Sequence, residues 1–216
     1  MTNIFTLRNV TIGGILLMSA LAIGIYTISV NSPATSDLHL QYAADFSDDR
    51  ILVGGSHNVF VGKVVKQVGN EEYSGTPSTQ FDVEVVKNIK GDLKETVVVD
   101  QLGGYKDGVL YLVHNDTVAS NDIEGGTPLL TPGSTYLFTA RYNEGKDRYT
   151  LITHPNGMKL ISANAGLEKA QLEELVSRDE KVIALEEAYK HEILLDADIR
   201  HNNARNSYQS LQEKSR

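Results

Sequence analysis

A run of 21 residues without a charged side chain lies near the start of the chain, from Val10 to Val30. A helix rises about 1.5 Å per residue, so a helix of this length is about 30 Å long, which matches the hydrocarbon core of a bilayer. Arg8 precedes the run and Asp37 follows it. Because positive charge favours the cytoplasmic side, we expect residues 1–30 to form a transmembrane anchor, with everything after Val30 outside.

The alternative is that residues 1–30 form a signal peptide. Ser32, Pro33 and Ala34 place small residues where cleavage after Ala34 requires them. The apolar run exceeds the length of about 7–15 residues that is usual in signal peptides, which favours an anchor. The sequence therefore predicts a single-pass protein of the cell membrane with an extracytoplasmic C-terminal part, which is secreted if it is cleaved near Ala34.

The absence of cysteine and the negative charge restrict the compartment and the partners. Disulfide bonds, which stabilise many secreted domains, are excluded, and a cysteine-free exported domain is typical of a bacterial, in particular a Gram-positive, envelope. The formal net charge of −8 disfavours nucleic acid as a partner, because binding to phosphates requires basic surface. The absence of tryptophan also disfavours base stacking.

The middle of the chain is rich in strand signals. Residues 31–45 are typical of a linker, and residues 46–162 form the predicted domain. It contains one short helical turn at 48–53 and five main strands with alternating or β-branched apolar residues, at 57–68, 80–89, 96–102, 135–142 and 148–153. Further short strands are predicted at 109–113 and 158–161. Five strands separated by turn signals indicate a mainly β fold, a five-stranded OB-like barrel.

Residues 163–216 form the predicted C-terminal helical region. Apolar residues recur at helical spacing between Leu172 and Ile193, and Ser177 followed by Glu180 predicts a capping box that divides the helix in two. The apolar stripe favours packing on the barrel, with a partner helix as the alternative. Residues 196–216 are polar, which is typical of a solvated tail.

Two polar segments, at 71–77 and 115–127, are predicted to be loops. If the partner is a protein, the expected contact surfaces are the loops at 69–78 and 103–128.

No constellation of residues indicates catalysis. Ser56 and His57 follow two glycines, but neighbouring strand residues point to opposite faces, which favours a turn that enters the first long strand. His114 and Asp116 lack further metal ligands nearby in the sequence. We therefore predict a non-enzymatic protein and assign no catalytic, cofactor-binding or metal-binding residue.

Two groups of carboxylates leave calcium open, although their spacing is not that of an EF-hand and a solvated acidic surface is the simpler interpretation. The groups are Asp45, Asp48 and Asp49, and Asp116, Asp122 and Glu124. Five tyrosines are interpreted as residues that pack on strands or line the rim, namely Tyr105, Tyr111, Tyr136, Tyr142 and Tyr149.

The order of strands and turns between about residues 50 and 153 resembles the netrin-like fold of the tissue inhibitors of metalloproteinases, in a bacterial cysteine-free form. The resemblance rests on Val59–Val65, on Phe81–Asp92 with its Lys-Gly-Asp ending, on Val97–Val99 before Gly103-Gly104, and on Leu130–Phe138. It implies an OB-fold. Those inhibitors chelate the protease zinc through an N-terminal cysteine, which this chain lacks, so the inhibitory residues do not carry over.

Together these observations predict a membrane-tethered, extracytoplasmic binding or interaction module without catalytic activity. Its partner is expected to be a protein, and the resemblance makes a protease one option. An envelope enzyme with a dispersed active site and a structural component of the envelope remain the alternatives.

Overall fold

The structure, a computed structural model, describes residues 34–40, 42, 44–114 and 126–195. The predicted anchor at 1–30, most of the predicted loop at 115–127 and the tail at 196–216 lie outside these residues. Within the described ranges, no helix combines the length and the apolar character needed to cross a membrane.

Ten strands and three α-helices make up the described fold. In chain order they are β1 (Ala34–Leu38), α1 (Asp49–Gly54), β2 (Asn58–Tyr73), β3 (Thr76–Lys90), β4 (Thr96–Leu102), β5 (Gly104–Lys106), β6 (Val109–His114), β7 (Gly126–Thr127), β8 (Thr135–Asn143), β9 (Arg148–Leu151), β10 (Met158–Ser162), α2 (Lys169–Arg178) and α3 (Glu180–Lys190). A 3-10 helix, Pro155–Gly157, connects β9 to β10.

The five strands predicted as the main ones form a closed ring. β2 pairs with β3, β3 with β4, β4 with β9, β9 with β8, and β8 with β2 again. β10 continues along the edge of β8 beyond β9. The prediction of a mainly β fold is therefore confirmed, and closure leaves few unpaired strand edges within the ring.

One apolar cluster draws residues from all five strands of the ring and therefore lies inside it. Its largest fully buried side chains are Phe60, Phe81 and Phe138, and the rings of Phe60 and Phe138 are 5.2 Å apart. The alternation that the sequence shows in Phe81 and Val83 places both side chains in this cluster. This interior core takes the place of disulfide bonds in a chain without cysteine.

A second core covers the outer face of the ring. Val59, Val61 and Leu137 point outward from β2 and β8 and pack against α1, α2 and α3. The helices contribute Leu52, Val53, Leu172, Val176, Val182 and Leu185. The predicted packing of the C-terminal helices on the strands is confirmed.

The helical region divides where the sequence predicts a break, but through a different residue. Asp179 ends α2, and its carboxylate accepts hydrogen bonds from the amides of Lys181 and Val182 at 3.0 and 3.1 Å, which caps α3. Ser177, the predicted cap, instead donates to the carbonyl of Glu174 at 2.8 Å. An aspartate satisfies the free amides of a helix start as well as a serine does, so the capping signal had two possible positions.

Residues 71–77 form no loop, contrary to the prediction. β2 and β3 continue as a long hairpin to Tyr73 and Thr76, and Ser74 and Gly75 make the turn with φ values of +49° and +88°. Two positive φ values are typical of a tight hairpin turn. This outer arm of the hairpin is largely exposed and therefore polar. Its polar sequence alone could not distinguish it from a loop.

A second, smaller sheet forms beside the ring from β1, β5, β6 and β7. β1 lies within the segment predicted as a linker and pairs in parallel with β6, from Ala34 opposite Val109 to Leu38 opposite Val113. Residues 34–38 are therefore part of the domain, not a linker. They are short, polar and at a sheet edge, so they carry little of the apolar alternation by which strands are recognised.

Candidate functional site

A cleft of about 470 Å³ opens where the ring and the small sheet meet. β9 pairs with β4 over only two residue pairs, after which the chain leaves β4 and continues as β10 on β8. The end of β4, the segment 126–131 and the stretch from Leu151 through β10 form its walls. The volume falls in the range of about 300–1,000 Å³ that is usual for ligand sites.

Among the residues that the structure describes, those that line the cleft are largely apolar and include no Asp, Glu, Lys or Arg. The apolar side chains include Leu102, Val113, Leu129, Leu151, Ile152, Met158 and Leu160, and the polar ones are Gln101, Thr127, Thr131, Tyr136, Thr153 and His154. A desolvated charge without a partner is costly, so this lining selects against a charged ligand group.

Gln101 fixes one wall of the cleft. Its Oε1 accepts a hydrogen bond from the amide of Leu130 at 2.8 Å, and its Nε2 donates to the carbonyl of Pro128 at 2.9 Å. The hydroxyl of Tyr136 accepts from the amide of Thr131 at 3.2 Å. Side chains of β4 and β8 thus hold three backbone groups of the segment 128–131 in place, which fixes this wall of the cleft.

His154 also lines the cleft. Its Nδ1 accepts a hydrogen bond from the amide of Asn156 at 3.1 Å and caps the 3-10 helix. Its ring contacts those of Tyr42 and Phe46, with centroids 4.7 and 6.0 Å away. Burial lowers the pKa of His154 below its ordinary value. Burial therefore favours the neutral form of this imidazole.

A buried polar group lies on β3 and β4 outside the cleft. The Ser78 hydroxyl and the Gln80 amide both donate to Oδ1 of Asp100, the amide at 2.7 Å. All three side chains are less than a tenth exposed. Their hydrogen bonds satisfy one another, and we assign this group to the stability of the sheet rather than to a site.

The glycine-flanked serine and histidine do not form a catalytic pair. The Ser56 hydroxyl donates to the carbonyl of Leu52 at 2.7 Å, and Nδ1 of His57 accepts from the amide of Tyr142 at 3.0 Å. The interpretation of this segment as a turn that enters the first long strand is confirmed, since it connects α1 to β2.

The carboxylates of the first group, Asp45, Asp48 and Asp49, each interact with different neighbours. Asp45 accepts from the amide of Ser47, and Asp49 pairs with Lys181 at 2.5 Å. Asp48 caps α1, and hydrogen bonds from the Arg50 side chain lower the pKa of Asp48 to about 2. Asp116, Asp122 and Glu124 lie outside the described residues.

The predicted tyrosines and contact surfaces lie on several strands of both sheets. Tyr136 is buried, and the rings of Tyr142 and Tyr149 pack 5.1 Å apart, as expected for strand packing, whereas Tyr105 is exposed. The surface expected at 69–78 is the exposed hairpin arm. The surface expected at 103–128 includes β5, β6 and β7, and Val113, Gly126, Thr127 and Pro128 line the cleft.

Sequence reasoning missed the cleft itself. Its residues come from several separated segments, and each is apolar or weakly polar like ordinary core residues. Neither a scan against protein-family models nor a search of curated proteins finds a match for this chain. The netrin-like resemblance therefore stays a prediction.

Proposed function

We propose that this chain is an extracytoplasmic binding module without catalytic activity, tethered to the cell membrane by residues 1–30, and that it recognises an uncharged, apolar ligand group in the cleft. The observation that carries the proposal is the cleft, which is largely apolar and takes about half of its lining from strands of the ring, of the small sheet and of β10. Rigid strands hold a binding site more accurately than loops do.

The closed ring supports the finer assignment of an OB-like barrel of the netrin-like type. Four of the five strands that close the ring, β2, β3, β4 and β8, carry the residues on which the resemblance rests. The resemblance adds a protease as one possible partner. A protein partner would place an apolar side chain in the cleft, and recognition would not involve chelation by a cysteine, since the chain has none.

The chemistry of the lining defines the ligand group further. Burying an apolar group releases about 25 cal/mol per Å² of apolar surface, whereas a charged group would lose its hydration without gaining a counter-charge. Tyr136 and His154 can each offer a hydrogen bond, the first through its hydroxyl and the second through Nε2–H. The ligand group is therefore apolar over most of its surface, with one or two polar atoms.

A titration with an uncharged, environment-sensitive dye, N-phenyl-1-naphthylamine, tests the proposal. Both cores lie within residues 34–216, which form one compact unit, so this part can be studied without detergent. We expect saturable fluorescence enhancement that is lost in Leu160→Arg, because Leu160 is 49% exposed and lines the cleft.

Val65→Arg is the matched control, because Val65 also lies on a strand, is 48% exposed and does not line the cleft. Absence of saturable binding, or equal loss in both variants, would refute the proposal. The tether is tested separately with the full chain: we expect it to stay with membranes after alkaline carbonate extraction, and its release would refute the anchor.

A further inference from the structure

Two histidines and a carboxylate meet where the parallel strands β1 and β6 end. Leu38 is opposite Val113, so the next residues, His39 and His114, lie side by side, and their ring centroids are 4.6 Å apart. Asp37 precedes His39 by two residues and therefore lies on the same face of the sheet. Its Oδ2 is 3.4 Å from Nδ1 of His114.

The distance between Oδ2 of Asp37 and Nδ1 of His114 matches the spacing of two ligand atoms on one metal ion. In a tetrahedral zinc site with bonds of 2.0–2.1 Å to nitrogen and oxygen, neighbouring donor atoms are about 3.3 Å apart. Two imidazoles and one carboxylate are also a donor set that binds zinc and leaves one position open. In the sequence only Asp116 lies close to His114 as a candidate ligand, and the register of β1 on β6 brings two others, Asp37 and His39, to its side.

The third ligand requires a change of side-chain conformation. No three histidine, aspartate or glutamate side chains converge on one point in the part of the chain that the structure describes. His39 is exposed and follows the last residue of β1. A rotation about its side-chain torsions can therefore bring a ring nitrogen to the ion without moving a packed residue.

We infer that Asp37, His39 and His114 bind a divalent transition-metal ion of the zinc type. The ion would join the first strand of the domain to β6 independently of the cleft. β1 is held by one short parallel ladder and carries mostly exposed side chains, so a metal bond across the strand ends stabilises its docking. The alternative is a direct contact between the side chains of Asp37 and His114 without a metal ion.

Competition for zinc against the chromophore 4-(2-pyridylazo)resorcinol tests the inference. The full chain is used without an affinity tag, in an uncharged detergent, with ZnCl₂ as the source of the metal. We expect one zinc ion per chain, with affinity at least 10-fold lower in His39→Ala and in Asp37→Asn. His39→Ala is the decisive variant, since an exposed side chain can be removed without unfolding the domain.

His191→Ala is the matched control, because His191 is exposed at the end of α3 and lies near Glu187. Its zinc affinity should equal that of the unaltered chain. Binding of Co²⁺ provides a second readout, since a four- or five-coordinate site gives visible absorption that His114→Ala should abolish. Absence of stoichiometric zinc binding, or unchanged affinity in His39→Ala, would overturn the inference and leave the direct contact between Asp37 and His114.

Discussion

Replacement of Leu185 by alanine tests whether the C-terminal helices and the ring form one cooperative unit. Leu185 lies on α3, is fully buried, and belongs to the core that also contains Val59 and Leu137 of the ring. Removing a leucine side chain at such a site costs about 2–5 kcal/mol, because apolar contacts are lost and a cavity remains. A loss of about 3 kcal/mol lowers the folding equilibrium constant by about 150-fold.

Urea unfolding of residues 34–216, followed by far-ultraviolet circular dichroism, measures this loss. We expect a single transition with a lower midpoint and an unchanged slope, because the helices and strands unfold together. Ile183→Ala is the control on the same helix: Ile183 is 50% exposed, so its free energy of unfolding should change by less than about 0.5 kcal/mol. Equal losses in both variants, or an early transition confined to helical signal, would refute the reasoning.

Three further perturbations have defined outcomes. Asp179→Ala should lower the free energy of unfolding by about 1 kcal/mol, since two amides of α3 lose their acceptor, whereas Ser177→Ala should have almost no effect; equal effects in urea unfolding would contradict the cap assignment. Burial lowers the pKa of His154, so the stabilisation by its neutral form is complete above the ordinary histidine pKa of about 6.5 and is lost as the pH falls towards the lowered pKa. His154→Gln should remove this part of the pH dependence of the free energy of unfolding. An unchanged pH dependence in His154→Gln would contradict the assignment. The hydrogen bond from Lys146 lowers the pKa of Glu71 in the folded state. The stabilisation that ionised Glu71 contributes is therefore present above the ordinary glutamate pKa and is lost as the pH falls through the lowered pKa. An NMR titration in which the Glu71 carboxyl has a pKa at or above the ordinary value would contradict this.

The ring was predictable because its strands carry strong local signals. β4 begins and ends at the residues expected from its valines, Thr96 and Leu102. β8 and β9 begin at the predicted residues, Thr135 and Arg148. In each of these strands, the residues that face the interior core produce the pattern, so the local sequence and the tertiary packing agree.

β1 and the outer half of the long hairpin were not predictable because they lack residues that face a core. Ala34–Leu38 contributes no residue to either core, and the arm beyond Gly69 is mostly polar. Strands that bury little apolar surface show little apolar periodicity. Their existence depends on pairing with partners distant in the sequence, such as β6 for β1.

The cleft and the histidine pair lay beyond sequence reasoning because both depend on strand register. Leu160 resembles any core leucine in the sequence. It lies beside an open volume because the chain leaves β4 after β9 and continues as β10 on β8. His39 and His114 are 75 positions apart in the sequence, and the parallel ladder alone makes them neighbours.

NMR mapping of N-phenyl-1-naphthylamine on residues 34–216 tests the proposed ligand site most directly. The dye is added to isotope-labelled protein, and the shifts of backbone amides and methyl groups are followed to saturation. The account predicts that the largest shifts occur at Thr127, Leu129, His154 and Leu160, which line the cleft. Shifts confined to other surfaces, such as the exposed side of α3, or the absence of any saturable shift, would contradict it.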